Sequence, residues 1–169
     1  MLKSLVLYGI SAMLLTQGAL ARHLFTNGKY LIAQAEVHPA YITPAANKHD
    51  VIVTSQEHVW EVSFTGGGFY IKSVATGLYM KGLGKQGYEN HGDRQKKEEY
   101  PVILETNNDP QAWDITEFDV ESKSYRVAPI GDHESVLSHH REESSPLILQ
   151  NKEYGNDATH QLWRFVQVN

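Results

Sequence analysis

Three tryptophans, Trp60, Trp113 and Trp163, stand 53 and 50 residues apart, and no others occur in the 169-residue chain. Each is followed two residues on by an apolar side chain: Val62, Ile115 and Phe165. Gln111 and Gln161 precede the second and third tryptophans by two positions, and His58 takes that place in the first. A period near 50 residues is the mark of a repeat architecture, in which one supersecondary unit buries its apolar face against copies of itself.

The segments between the tryptophans say what the unit is made of. They lack a sustained 3.6-residue periodicity. Their apolar runs are short, β-branched and aromatic, and Gly, Asn, Asp and Pro punctuate them, which predicts strands. An opening strand is read at Tyr30-Leu31-Ile32, Tyr70-Ile71 and Tyr125-Arg126-Val127. A second follows at Tyr41-Ile42, Leu78-Tyr79-Met80 and Val136-Leu137. A third comes at Val51-Ile52-Val53, Val102-Ile103-Leu104 and Leu147-Ile148-Leu149, and the tryptophan strand closes the unit. Gly66-Gly67-Gly68 reads as a hairpin turn, because glycine tolerates positive φ. Twelve strands in three repeats of about 50 residues predict an all-β chain with a β-trefoil fold: six strands closing a barrel and six forming hairpins over one end. A propeller of four-strand blades needs more than three of them.

The N-terminus reads differently from the rest. Lys3, an apolar stretch from Leu5 to Leu15 and the small-x-small triplet Ala19-Leu20-Ala21 have the layout of a secretory signal peptide over residues 1–21. The stretch is too short and too interrupted to span a bilayer, which takes about 20 apolar residues. Removing 21 of the 169 residues leaves 148, expected to form one domain over residues 22–169 and to work outside the cell. No cysteine occurs, so the core must suffice without disulfides, and thiolate metal sites are excluded. The formal charge of -5 gives no counterion-release drive for nucleic acid. Neither a nucleic acid nor a membrane is expected as a partner, and the chain is expected to act as a monomer.

Several chemical motifs fail on context. Gly82-Leu83-Gly84-Lys85-Gln86-Gly87 matches the dinucleotide fingerprint in letters, but no helix follows it. The nine histidines include no H-E-x-x-H, so no metal site is assigned, and no G-x-S-x-G is present. No catalytic residue and no cofactor are assigned, and an enzyme is not expected. Tyr79, Tyr88 and Tyr154 are the tyrosines read as free to stack on a sugar.

The Q-x-W pattern and the run Tyr70 to Tyr79 resemble ricin B-chain-type trefoils. The opening Asn27 to Ile32, the stretch Val102 to Ile115 and the ending Pro146 to Phe165 resemble the cospin-type family of small fungal trefoil serine protease inhibitors. The resemblance implies a fungal source. A ricin-type sugar site places an aspartate just after the second strand of a repeat, and this sequence has Thr43, Lys81 and Ser138 there. The inhibitor resemblance implies a binding loop between the second and third strands of the first repeat, here Thr43 to Asp50. Within it Pro44, Ala46, Asn47 and Lys48 are the candidate protease contacts. Asn47 is the family counterpart of the primary contact, and Lys48 suits an acidic specificity pocket. Such a loop is expected to be stiff and extended. The corresponding loop of the second repeat, Lys81 to Tyr100, is long, and Lys85, Arg94 and Lys96 make it a second candidate. Two functions follow: inhibition of a serine protease, or of a cysteine protease, and carbohydrate binding by a lectin with a sugar site unlike that of ricin.

Overall fold

The computed structural model describes residues 26–36, 40–84, 99–106, 109–132 and 134–169. Each tryptophan lies at or next to the start of the fourth strand of a repeat. The first repeat comprises β1 (Gly28–Gln34), β2 (Tyr41–Pro44), β3 (Val51–Thr54) and β4 (Val59–Phe64). The second comprises β5 (Phe69–Ser73), β6 (Tyr79–Gly82), β7 (Glu99–Glu105) and β8 (Trp113–Asp119). The third comprises β9 (Ser124–Pro129), β10 (Ser135–His139), β11 (Ser145–Asn151) and β12 (Trp163–Val168), with a 3₁₀ turn, Asn156–Gln161, before its last strand.

The first and fourth strands of the repeats form a ring. β1 pairs with β4 and β12, β4 with β5, β5 with β8, β8 with β9, and β9 with β12. The ring is closed, so none of its strands offers a free edge. The second and third strands form the hairpins β2–β3, β6–β7 and β10–β11. β11 joins β3 and β7, and Asp50 bridges Ile103, so the hairpins close a triangular cap over the barrel. This is a β-trefoil.

The tryptophans explain why barrel and cap stay together. All three are fully buried, among Ile32, Ile71 and Val127 of the barrel and Ile42, Met80, Leu137, Val53, Leu104 and Leu149 of the cap. Burial of one tryptophan is worth roughly 4–6 kcal/mol by area. Its indole N–H then needs an acceptor in the core. Trp60 donates to the Ile42 carbonyl at 2.8 Å, Trp113 to Met80 and Trp163 to Leu137, both at 3.1 Å. Each bond runs from the fourth strand of a repeat to its own second strand and ties hairpin to barrel.

Below the tryptophans a second layer holds Tyr30, Val62 and Phe69, with Ile115 and Phe165 packed against them. The register refines one sequence reading. Tyr30, Phe69 and Tyr125 stand opposite Trp60, Trp113 and Trp163, so Phe69 and not Tyr70 is the aromatic of the second repeat. The Gly66–Gly68 turn is present: Thr65 N–H donates to the Gly68 carbonyl at 2.9 Å, and Gly66 has φ 86°. Gly68 sits so close to the backbone of β8 that a Cβ would lie 2.8 Å from the Trp113 carbonyl oxygen.

Candidate functional site

Six residues, 45–50, join β2 to β3. Pro44 fixes one φ at the entry. Ala45 N–H donates to the Asp50 carbonyl and Lys48 N–H to the Ala45 carbonyl, each at 2.8 Å. Asn47 then stitches the loop from within. Its Oδ1 accepts the N–H groups of His49 and Asp50 at 3.0 Å each, and its Nδ2 donates to Asp50 Oδ2 at 2.7 Å. This is the turn that an asparagine side chain makes by imitating backbone. The Asn47 hydrogen bond, and then that of His49 Nδ1 at 3.2 Å, hold the Asp50 carboxyl below its ordinary range. The loop is moored to the cap where Leu104 N–H donates to the His49 carbonyl at 2.7 Å.

The loop is closed on itself by these bonds and is not extended as the inhibitor resemblance implies. Lys48 has φ 57°, in the left-handed region, which costs a residue with a side chain about 1 kcal/mol. The local bonds around Asn47 offset that cost. Pro44 is half-buried, while Ala46 and Lys48 are exposed. Asn47 spends its side chain inside the loop, and the Lys48 ammonium has no ion-pair or hydrogen-bond partner among the described residues. The geometry therefore separates the two candidates: Asn47 braces and Lys48 projects. Asp50, the second brace, escaped the sequence reading, although an aspartate three residues after an asparagine in a short loop carries the signal.

The other candidates are placed differently. Lys85, Arg94 and Lys96 lie outside the described residues, between Gly82 and Glu99, as do Tyr88 and the segment 1–21. The literal glycine fingerprint begins inside β6, and Leu83 N–H extends the ladder by donating to the Pro101 carbonyl at 2.9 Å. At the three ricin-type positions every side chain is engaged. Thr43 Oγ1 donates to the Gln56 carbonyl at 2.9 Å, Lys81 pairs with Glu105, and buried Ser138 donates to Gln150 Oε1 at 2.9 Å.

The residues two before the tryptophans are structural. Gln111 Oε1 accepts the Gly82 N–H at 2.6 Å. Gln161 accepts from Glu153 N–H and donates to the Asn151 carbonyl, both at 2.9 Å. His58 bonds Ser73 Oγ at 3.0 Å and stands edge-on to Trp60, with ring centroids 4.9 Å apart. Burial lowers its pKa.

No protein-family model and no curated protein matches the chain. Solved structures do. A ricin B-like lectin from Macrolepiota procera in complex with lactose superposes with a TM-score of 0.65 at 15% identity, covering 86% of this chain and 99% of that one. ThreeFoil, a designed three-fold symmetric protein, gives 0.60 at 15% identity, over 84% of this chain and all of that one (100%). A proteinase inhibitor from Coprinopsis cinerea gives 0.57 at 11% identity, over 85% and 99%. At these identities the likeness is one of fold.

Proposed function

We propose that this chain is a β-trefoil inhibitor of serine proteases and that the Ala45–Asp50 loop carries Lys48 into the acidic specificity pocket of a trypsin-like enzyme. The observation that supports this reading most is the division of labour between Asn47, which is bonded inward three times, and Lys48, which is exposed. A loop already fixed in the free protein loses little conformational freedom on binding. The left-handed φ at Lys48 also matters. A protease attacks a peptide laid out in near-attack geometry. A turned backbone binds in the cleft without presenting its carbonyl that way, so the complex persists instead of being cleaved. The Coprinopsis inhibitor lends the reading support at the level of fold. In this role the chain performs no chemistry of its own, and its place of action is extracellular, in keeping with the signal-like segment 1–21.

The test is a titration of residues 22–169 against trypsin-like, chymotrypsin-like, subtilisin-like and papain-like proteases. Stoichiometric loss of the trypsin-like activity is expected. Lys48→Ala should weaken it about a hundredfold, the scale of losing a desolvated charge pair. Asn47→Ala should weaken it about tenfold by slackening the loop. No loss at micromolar inhibitor across the four enzymes, or unchanged inhibition by Lys48→Ala, overturns the assignment. A carbohydrate reading finds no carboxylate at the ricin-type positions and has to rest on another surface.

A further inference from the structure

On the wall of the barrel, β8 and β9 turn a different set of residues outward. Thr116 stands opposite Arg126 and Asp114 opposite Ala128. A groove of about 340 Å³ runs along this face, lined by Asp114, Thr116, Glu117, Phe118, Arg126 and Lys152 among others. Arg126 is the unusual member. Only 8% of it is exposed, yet no carboxylate stands at ion-pairing distance from it among the described residues. Among the described residues its one hydrogen bond runs from Nη2 to the Glu153 carbonyl at 2.6 Å, and its Nε has none. The guanidinium carbon lies 4.6 Å from the centre of the Phe118 ring and 5.8 Å from that of Tyr154. Lys152 Nζ lies 5.6 Å from the same Tyr154 ring, which is itself 81% exposed.

A buried cation is expensive unless an anion pairs with it. Two aromatic faces relieve only part of that cost. The position calls for a carboxylate, and Lys152 stands where it adds a second positive charge. The groove also contains Asp114 and Glu117, which would repel a bare acid. They accept hydrogen bonds from hydroxyl groups, strongly because they are charged. A ligand that meets both demands sets a carboxylate beside several hydroxyls. The ring of Phe118 offers an apolar face for the C–H side of such a molecule.

We propose that this groove binds a sugar acid, with its carboxylate on Arg126 and Lys152 and its hydroxyls toward Asp114 and Thr116. The site lies between the second and third repeats and the protease-facing loop on the first, so either assignment stands or falls without the other.

Calorimetry of the full chain with trigalacturonate, its methyl ester and sodium acetate tests the proposal. Trigalacturonate should bind saturably, one per chain, and at least about tenfold more tightly than the ester, with acetate silent at the same concentration. Arg126→Gln is the direct variant, but its side chain is buried and the chain's fold is at risk. Lys152→Gln and Tyr154→Ala alter more exposed side chains. Each should weaken binding about tenfold and leave the melting temperature unchanged. The proposal is overturned if trigalacturonate gives no heat at millimolar concentration, if the ester binds equally well, if acetate competes as strongly, or if both variants bind as the parent does. In those cases Arg126 is a packing staple between two rings.

Discussion

The first and second repeats share one frame and differ at the end of one strand. In both, the tryptophan N–H reaches the carbonyl two residues before the end of the second strand, Ile42 in one and Met80 in the other. In the second repeat that strand ends at Gly82, whose N–H is taken by Gln111. In the first it ends at Pro44, which has no N–H to give. A glutamine two residues before Trp60 would hold its carbonyl toward nothing. The position holds His58, which turns to Ser73 instead. Gly82 differs in a second way: a Cβ there would run into Leu149 Cδ1 of the third repeat. The difference shows which part of the repeat the core demands. The tryptophan and its carbonyl are demanded three times over. The strand end is free to vary, and in the first repeat a proline there stiffens the entry to the loop that presents Lys48.

The largest effect should come from the shared part. Trp60→Phe and Trp113→Phe each remove half of a bicyclic ring from a closed core and strand one buried carbonyl. Each should cost about 3 kcal/mol, combining cavity and hydrogen-bond losses. Urea unfolding monitored by circular dichroism measures both. The comparison breaks if the two differ by more than about 1.5 kcal/mol, because one repeat would then bear the core without the other.

How much of this was legible follows from the same distinction. The tryptophan spacing, the short β-branched runs and the glycine turn announce twelve strands in three units, because each repeat must fill an equivalent pocket with an equivalent side chain. The strand at Tyr70-Ile71 is present, but Phe69 and Tyr70 are both aromatic and adjacent, and only the pairing of Phe69 with Trp113 decides which of them faces the tryptophan. Asn47 and Lys48 both stand out in the sequence, but their separate roles depend on where one side chain's hydrogen bonds go. The Arg126 groove was not legible at all. It is made by residues from the β8–β9 hairpin and the segment after β11, and no local pattern marks a cation left without an anion. For Lys85, Arg94 and Lys96 the sequence remains the whole basis of the reading.

A smaller effect should separate the two strand ends. Gly82→Ala forces the Leu149 side chain, packed near Trp113, to move, and overpacking of this kind costs about 1–3 kcal/mol. Pro44→Ala asks for no new space. It should cost less than about 1 kcal/mol, through the greater freedom of the unfolded chain. Thermal melts of the two variants compare them directly. Equal losses would mean that the ends are equivalent after all and that the close approach at Gly82 relaxes without strain.

The smallest effect is also the sharpest, because it depends on protons. Burial lowers the pKa of His58 and of His139 below the ordinary imidazole value of 6.5. Between that value and the folded-state value the unfolded chain binds more protons than the folded one. Stability is therefore full above about pH 6.5 and falls as the pH drops toward the folded-state values, by at most about 1.4 kcal/mol per pH unit for each histidine. His58→Gln should remove one of the two contributions and flatten the decline between pH 7.5 and 5.5 in urea titrations, leaving that of His139. Alone, the new glutamine still faces a proline. Combined with Pro44→Ala it meets an N–H in the place where Gln111 meets that of Gly82. The double variant should then be more stable than the sum of the single changes predicts, by about 1 kcal/mol, the worth of one hydrogen bond. A coupling of zero would mean that Pro44 and His58 vary independently and that the missing N–H is not the reason the first repeat lacks its glutamine.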